Sequence, residues 1–400
     1  MTKQLSKISQ FTLIGSIQFL IIVGLLEIGL RSLEHYNDNI HLLLYNPHIL
    51  GQYEKINTLE ELLNTRPKGF QPYAKREGFV LNSRSFRTKE YREEKPKDAY
   101  RILAIGDSFT AGSGGVPYAQ HWAVSLENLL KQRTIPADLI KLGVGGVGPR
   151  FELRLWQLEG SRLHADLVIL AFCIGNDFTD EQENMGSFFD HLTEISYVLR
   201  LIRNMYRLTG VSRQVLVQNS STQQGGYDTM EHIYDDQKPS FSRQAFLDVV
   251  ASRMAITYQL NRPMFLTLFS QLKPVFLHFK QSVERVGAQF LVMLIPDEYQ
   301  IDVKLRTEVV QQLNHSLQDY DITLPQDELS KFFKEHHILY LDLFPPFQEH
   351  AKTTVLYRLQ DTHWNIKGNQ LASEELVKFL IGQVIKNSGQ YAKKEVSEQP

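Results

Sequence analysis

The chain has 400 residues, of which 42% are hydrophobic, and it carries a formal net charge of -2 at pH 7. This length and composition allow one large domain with a sizeable core and some additions around it. The balanced charge and the lack of a long run of one sign argue against nucleic acid as a partner.

The first predicted element is a membrane anchor over residues 8–30. No residue between Ile8 and Leu26 is charged, and the stretch is close to the roughly 20 residues that cross a bilayer. Lys3 and Lys7 precede it, and no small-residue cleavage site follows it. We therefore expect a single uncleaved transmembrane helix, a cytoplasmic N-terminus and a catalytic domain in the periplasm or at the cell surface. A buried soluble helix is the alternative.

Residues 31–99 mix apolar and charged residues with several prolines, which favours an irregular arm or small lid. From residue 100 onward, β-rich runs alternate with segments of helical periodicity. Strands are predicted at Tyr100–Ile105, Asp138–Leu142, Asp166–Ile174, Gln289–Ile295 and Ile338–Leu343. Helices are predicted at Gln120–Gln132, Arg150–Leu163, Pro274–Val286 and Asn369–Lys386. This alternation predicts an α/β domain over residues 100–388, with a parallel sheet covered on both faces.

Two further segments complete the predicted organisation. The alternation lapses over residues 181–273, which we interpret as a largely helical insertion with a polar loop. Residues 389–400 form a polar tail that we expect to be disordered. The only cysteine, Cys173, lies in an apolar run, so it cannot form an internal disulfide and is expected to be buried.

The candidate nucleophile is Ser108 in the sequence Gly-Asp-Ser-Phe-Thr over residues 106–110. It directly follows the first predicted strand, and open α/β sheets form their sites at the carboxyl ends of strands. A serine hydroxyl needs a general base and a third group that orients the base. His363 is the best base, and Asp361 lies two residues before it, so both side chains point the same way if this stretch is extended.

Acyl transfer also needs hydrogen-bond donors for the developing oxyanion. The glycine-rich turn over residues 143–148 and the sequence Gly-Asn-Asp over residues 175–177 each follow a predicted strand. Glycine lets a backbone N–H approach a ligand closely, and the Asn176 side chain adds an uncharged amide donor.

In this order, the four blocks resemble those of the SGNH hydrolases, also called the GDSL family. The resemblance covers roughly residues 100–386, with the insertion unmatched, and implies a flavodoxin-like three-layer α/β/α sandwich. It implies Ser108 as nucleophile and backbone oxyanion donor, His363 as base and Asp361 as orienting acid. It also implies Gly146 as a backbone donor and Asn176 as a side-chain donor. This chemistry needs no cofactor and no metal.

Three positions depart from the usual family pattern. Most members place the acid three residues before the histidine, where this chain has Gln360, whereas Asp-x-His-Trp resembles the alginate-acetylation branch. Ile174 replaces the usual glycine two residues before the oxyanion asparagine, and Lys141 replaces the asparagine that often opens the glycine block. The N-terminal segment is similar to the anchor of many bacterial members.

These observations predict a serine esterase or O-acyltransferase that acts through an acyl-enzyme, with an O-acetylated cell-surface polysaccharide as the preferred substrate. A lipid or small ester is an alternative substrate. The alternative of another class is a non-enzymatic surface assembly factor that retains the fold. A dinucleotide site is a further alternative, because Gly143, Gly145 and Gly148 match G-x-G-x-x-G and Asp177 could serve as the acid. A metal site is not indicated, since His336, His337 and Asp342 lack a suitable spacing.

Overall fold

The computed structural model describes residues 18, 21–33, 56–64, 72–76, 79–180, 196–199, 201 and 234–385. Five parallel strands form the central sheet in the order β4-β3-β5-β6-β7, and a short antiparallel hairpin, β1-β2, precedes them. The strands are β1 Lys75–Arg76, β2 Phe79–Val80, β3 Tyr100–Gly106, β4 Ala137–Gly143, β5 Leu167–Cys173, β6 Gln289–Ile295 and β7 Leu339–Asp342. The predicted α/β class and parallel sheet are confirmed.

The strand order creates a crevice at one edge of the sheet. The chain passes from β3 to the edge strand β4 and then returns to the other side of β3 to form β5. Successive connections therefore leave β3 and β5 in opposite directions, which is the flavodoxin-like switch point at which α/β proteins bind ligands. Gly106 pairs with Gly143 on one side and with Ala171 on the other, so the carboxyl ends of these three strands lie nearly level.

Helices cover both faces of the sheet. Their bounds are α1 Leu59–Asn64, α2 Ser108–Ala111, α3 Trp122–Gln132, α4 Pro149–Leu158, α5 Asp177–Asp180, α6 Arg243–Met254, α7 Arg262–Arg285, α8 Glu298–Ile301, α9 Val303–Gln312, α10 Leu324–Glu335, α11 Phe344–Ala351 and α12 Ile366–Phe379. A π-helical turn over Leu380–Ile385 extends α12.

Two hydrophobic cores lie on the two faces of the sheet because alternate strand residues point to opposite sides. On β3, Leu103 and Ile105 enter the core that α4, α7 and α10 cover. Ile102 and Ala104 enter the core that α3, α11 and α12 cover. The sheet is therefore the middle layer of three, and each core holds the carboxyl edge of β3 in place.

The predicted helix at Pro274–Val286 is wrong at its N-terminal end. The structure has one helix, α7, over Arg262–Arg285, with Pro274 inside it. A proline removes one hydrogen bond from a helix and usually marks a boundary. Here the buried residues lie on both sides of it, from Phe265 to Val283, so packing against the sheet keeps the helix continuous. The predicted end of the insertion at residue 273 therefore falls within α7.

The predicted arm contributes to the core where it is described. Leu62 on α1 and Phe86 after β2 are fully buried in the core on the α7 face of the sheet. Cys173 is also fully buried, as predicted.

Among the described residues, no helix has both the length and the apolar character needed to cross a membrane. The predicted anchor over residues 8–30 is described only at residue 18 and over 21–30, the latter within a helix over 21–33. The rest of the anchor, most of the first half of the insertion and the tail over 389–400 lie outside the described residues.

Candidate active site

Ser108 is the first residue of α2, directly after β3. Asp107 is the N-cap of this helix, and its fully buried carboxylate accepts a hydrogen bond from the backbone N–H of Phe109 at 2.9 Å. The Ser108 hydroxyl also donates to Asp107, with 3.2 Å between Oγ and Oδ2. Gly106 is required at the end of β3, because a Cβ there would come within 2.4 Å of Thr110 Oγ1. The turn is thus compact, and Ser108 lies at the switch point between β3 and β5.

Asp361 and His363 form the pair that their spacing predicts. Nδ1 of His363 lies 2.6 Å from Oδ1 of Asp361, and the backbone N–H of His363 donates to the same oxygen at 3.0 Å. A carboxylate can only accept, so Nδ1 of His363 is the donor and Nε2 is left to act as a base. Burial alone would raise the pKa of Asp361, but His363, Ser240 and Arg358 together hold it below its usual range.

His363 lies beside the helix that Ser108 begins. The rings of His363 and Phe109 are 5.4 Å apart, and a Cβ on Gly114 would lie 3.1 Å from Cβ of His363. Within the described part of the chain, however, Ser108 and His363 share no hydrogen bond, and the hydroxyl donates to Asp107. Catalytic hydrogen bonds are often incomplete before substrate binds. Any reaction that uses this base therefore requires the Ser108 hydroxyl to give up its hydrogen bond to Asp107 and donate to His363.

The glycine-rich turn after β4 packs directly against α2. A Cβ on Gly143 would come within 2.0 Å of the backbone nitrogen of Ala111, so only glycine fits. At Gly145 the corresponding position is 3.9 Å from Cβ of Ser108, which places this turn beside the candidate nucleophile. Gly146 has a φ of +71°, in the left-handed region that glycine enters without strain. The glycine-rich turn is thus adjacent to the start of α2.

Asn176 lies in the turn between β5 and α5, on the other side of Ser108. Its side-chain amide donates to Asp107 Oδ2 at 3.2 Å, so one carboxylate connects the candidate nucleophile with the candidate oxyanion donor. The residue before Asn176 is Gly175, and a larger residue does not fit there because its Cβ would lie 1.9 Å from Asp297 Oδ2. Asp297 in turn forms an ion pair with Arg253 at 2.9 Å. The displaced glycine noted in the sequence is therefore required by a neighbouring carboxylate.

The dinucleotide alternative does not agree with the position of these residues. The glycine-rich turn follows β4, which is an edge strand, whereas the crevice lies between β3 and β5. Asp177 is fully buried, and its carboxylate accepts the backbone N–H of Cys173 at 2.7 Å, so it closes its own turn.

Three basic side chains at the other end of α2 were not among the predicted site residues: Lys141 and His121 are buried, and Arg87 is half-buried. Lys141 Nζ donates to the carbonyl oxygens of Thr110 and Ala111 at 3.3 and 3.2 Å. Arg87 donates to the carbonyl oxygen of Gly112 and, at 2.8 Å, to that of Val116. His121 Nε2 lies 3.0 Å from the carbonyl oxygen of Phe109. Together they bind the carbonyl groups that a short helix leaves without partners at its C-terminus.

The protein environment lowers the pKa of two of these three side chains, Lys141 and His121. Burial lowers the pKa of Lys141 well below its ordinary value, and the charge of Arg87 lowers it further. Burial, followed by the charges of Lys141 and Arg87, also lowers the pKa of His121. The backbone N–H of Ala123 donates to Nδ1 of His121 at 3.2 Å, so the neutral ring donates from Nε2 to Phe109. The signal in the sequence was Lys141, a basic residue between the apolar residues Ile140 and Leu142 of β4.

No protein-family model and no curated protein sequence matches the chain. Solved structures with some similarity include TesA, at 9% identity and a TM-score of 0.36 over 70% of this chain and 97% of that one. An acetyl xylan esterase, AlAXEase, has 15% identity and a TM-score of 0.35, over 70% and 98% of the two chains. A lipolytic G-D-S-L family protein from Veillonella parvula has 12% identity and a TM-score of 0.35, with the same coverage. These scores are too low to establish the fold or activity of this chain.

The close packing of the glycine-rich turn on α2 predicts that two neighbouring substitutions differ in their effect on stability. Gly143→Ala should lower the free energy of unfolding by about 3 kcal/mol, because the added Cβ meets the backbone of α2 rather than a movable side chain. Gly145→Ala should change it by less than about 0.5 kcal/mol, because its contacts are side-chain atoms at an exposed position. Urea unfolding of the two variants measures both values. Equal stability of the two would contradict this packing.

Proposed function

We propose that the chain is a serine-dependent ester hydrolase or acyltransferase of the SGNH type. The observation that carries the proposal is the Asp361–His363 pair at 2.6 Å, beside the N-terminus of the helix that Ser108 begins. A buried carboxylate that fixes an imidazole next to a serine hydroxyl is the arrangement that acyl transfer needs. Its location at the switch point of the sheet supports the same conclusion.

In the proposed reaction, the Ser108 hydroxyl leaves Asp107 and donates to Nε2 of His363. Ser108 Oγ attacks the ester carbonyl carbon as His363 takes its proton, and Asp361 stabilises the resulting imidazolium. The tetrahedral intermediate collapses, the bond to the alcohol oxygen breaks, and His363 returns the proton to the departing alcohol. Ser108 then carries the acyl group until water or a sugar hydroxyl, deprotonated by His363, attacks the acyl carbon. The bond from this carbon to Ser108 Oγ breaks, and His363 returns the proton to Ser108.

The proposed oxyanion donors come from the ends of the three neighbouring strands β3, β4 and β5. They are the backbone N–H groups of Ser108 and Gly146 and the side-chain amide of Asn176. The amide of Asn176 donates to Asp107 in the absence of substrate. The same carboxylate thus accepts hydrogen bonds from both the nucleophile and this donor, so Asp107 holds two reacting groups in place before the ester arrives.

Labelling with a fluorophosphonate tests the nucleophile and separates an enzyme from a non-enzymatic assembly factor. The wild-type chain should form a covalent adduct on Ser108, because an activated serine attacks phosphorus as it attacks a carbonyl carbon. Ser108→Ala should form no adduct, and Asp361→Asn should lower the esterase kcat by about 10³- to 10⁴-fold. Mass spectrometry locates the adduct, and hydrolysis of p-nitrophenyl acetate gives kcat.

Ser270→Ala is the matched control, because Ser270 is an exposed serine whose hydroxyl donates within α7. It should be labelled as the wild type is. An unlabelled wild-type chain, or equal labelling of Ser108→Ala, would contradict the proposed function.

We propose an O-acetylated cell-surface polysaccharide as the substrate, resting on the resemblance of Asp-Thr-His-Trp, residues 361–364, to the alginate-acetylation branch. A short acyl group requires a small acyl pocket, so p-nitrophenyl acetate should exceed p-nitrophenyl palmitate in kcat/KM by at least about tenfold. Acetate release from O-acetylated alginate, or acetyl transfer to the deacetylated polymer, should be detectable by chromatography and absent in Ser108→Ala. A preference for the palmitoyl ester would favour the lipid alternative.

We also propose that the N-terminal segment anchors the chain in a membrane with the catalytic domain outside the cytoplasm. In support, the helix over residues 21–33 exposes apolar side chains over more than half their surface: Ile21 57%, Ile22 56%, Leu25 65%, Leu26 52% and Ile28 64%. The salt bridge between Arg31 and Glu27, at 2.8 Å, lies at the C-terminal part of this helix, on the side expected to face water.

If the N-terminal segment anchors the chain, a charged residue on its apolar surface should weaken membrane binding. Leu25→Arg should move the full-length chain from the membrane fraction to the soluble fraction, because arginine costs about 2.5–3.5 kcal/mol inside a bilayer. Leu260→Arg changes a similarly exposed leucine, at 78%, that lies before α7, and should leave the distribution unchanged. An alkaline phosphatase reporter after Lys386 should be active outside the cytoplasm. The reporter's disulfides do not form in the cytoplasm, so an expressed but inactive fusion would contradict the proposed orientation.

A further inference from the structure

Both oxygens of the Asp361 carboxylate are occupied, and only one of them is used by His363. Oδ1 accepts from Nδ1 and from the backbone N–H of His363. Oδ2 accepts from Nη1 of Arg358 at 2.6 Å and from the hydroxyl of Ser240. Arg358 Nη1 lies 3.3 Å from Ser240 Oγ as well, so the three groups form one cluster. With donors on both sides, the carboxylate cannot rotate without breaking a charge-assisted hydrogen bond.

Arg358 and Asp361 meet because the chain folds back on itself between them. Tyr357 and Trp364 form an antiparallel bridge, and the backbone N–H of Arg358 donates to the carbonyl oxygen of His363 at 3.1 Å. Gln360 adopts a φ of +47° within the loop that these bonds close. The loop thus brings its arginine, its aspartate and its histidine together.

Ser240 comes from a different part of the chain, the segment over residues 234–241 within the predicted insertion. This segment is attached to the loop by backbone hydrogen bonds, from Leu359 N–H to Asp236 O at 3.0 Å and from Phe241 N–H to Gln360 O at 3.2 Å. Nη2 of Arg358 also donates to the Asp235 carbonyl oxygen at 3.3 Å. Residues of the predicted insertion therefore reach the orienting acid of the proposed triad.

The Arg358 guanidinium beside Asp361 has two opposing effects on the proposed general base, His363. It helps to keep Asp361 ionised and aligned, so that Oδ1 faces His363. Its positive charge also opposes the imidazolium that forms when His363 takes a proton from Ser108. Arg358 is the last of the groups that lower the pKa of Asp361, so this carboxyl stays ionised without it and the second effect decides. Arg358 therefore favours the neutral imidazole, which is the form that acts as a base.

We propose that Arg358 and Ser240 are positioning residues that act through Asp361, and that Arg358 sets the pH at which His363 becomes an effective base. This inference rests on the proposed function for its catalytic consequence. The effect of Arg358 on the titration of His363 can be measured without any substrate.

Other titratable groups face this cluster from neighbouring elements. Glu298 on α8 interacts with Asp361, and burial followed by the charges of Asp297, Asp302 and Asp361 raises the pKa of Glu298 well above its ordinary value. Burial, followed by the charge of Asp236, raises the pKa of Tyr234 to about 12.

Asp107 lies on the other side, at the N-terminus of α2, where it accepts from Ser108. Of the groups facing the cluster, Glu298 is a carboxyl whose pKa is raised by burial. Its contribution to the pH profile is removed by repeating the comparison in a Glu298→Gln background.

The experiment compares Arg358→Gln, Arg358→Lys and Ser240→Ala with the wild type, after circular dichroism has established that each is folded. In Arg358→Gln, the acidic limb of the kcat/KM profile for p-nitrophenyl acetate should move up by about one pH unit. Its kcat should fall about tenfold while KM stays unchanged, because a charge-assisted hydrogen bond is lost in a step after binding. Arg358→Lys should keep the limb in place, since it retains the charge.

Ser240→Ala should lower kcat several-fold without moving the limb, because it removes a hydrogen bond but no charge. It also tests the positioning role if Arg358→Gln does not fold. Arg262→Gln is the matched control, because Arg262 forms an exposed ion pair with Glu328 at 3.4 Å and does not contact the site. It should match the wild type in kcat, KM and pH profile.

NMR titration of the His363 ring, in the wild type and in Arg358→Gln, separates this inference from the proposed function. An upward shift of its midpoint by about one pH unit supports the role of Arg358 even if the wild type hydrolyses no ester. An unchanged midpoint and an unchanged acidic limb would overturn the inference, even if Ser108 is labelled. Equal losses of stability and activity in Arg358→Gln and Arg358→Lys, with no shift in either, would also overturn it.

Discussion

The candidate site depends on how α2 is held at its two ends. At the N-terminus, Asp107 is a buried acceptor for the backbone of Phe109 and the hydroxyl of Ser108. At the C-terminus, Lys141 and Arg87 donate to the carbonyl groups that the helix cannot satisfy internally. A helix of one turn has little stability of its own, because nucleation costs more than a single turn returns. Buried hydrogen bonds from the surrounding structure therefore determine where Ser108 points.

This arrangement has an energetic cost that the rest of the fold offsets. Basic side chains are seldom fully buried, and burial lowers the pKa of both Lys141 and His121. Because the pKa of His121 is lower in the folded than in the unfolded state, the unfolded chain binds more protons. Its contribution to stability is therefore lost as the pH falls below the unfolded value of about 6.5. The two hydrophobic cores on either side of β3 supply the burial that compensates for this cost.

The sequence predicts the sheet and part of the site for a clear physical reason. Strands buried on both faces are uninterrupted apolar runs, so β6 was predicted with the bounds that the structure shows. Asp361 and His363 are two residues apart, so local geometry alone brings them together. The extent of α7 was not predictable in this way, because its packing outweighs the local effect of Pro274. The contact of Ser240 with Asp361 joins residues 121 positions apart and leaves no periodic signal.

The two-residue spacing of acid and base explains why Asp361 has partners that come from elsewhere in the chain. At this spacing, Oδ1 reaches both the backbone N–H and the ring of His363, so one oxygen makes both local contacts. The other oxygen then lies buried on the side facing residues 234–241, and an ionised oxygen there needs donors. Arg358 and Ser240 are those donors. The short spacing therefore requires the docking of the 234–241 segment, and this part of the predicted insertion completes the environment of the acid.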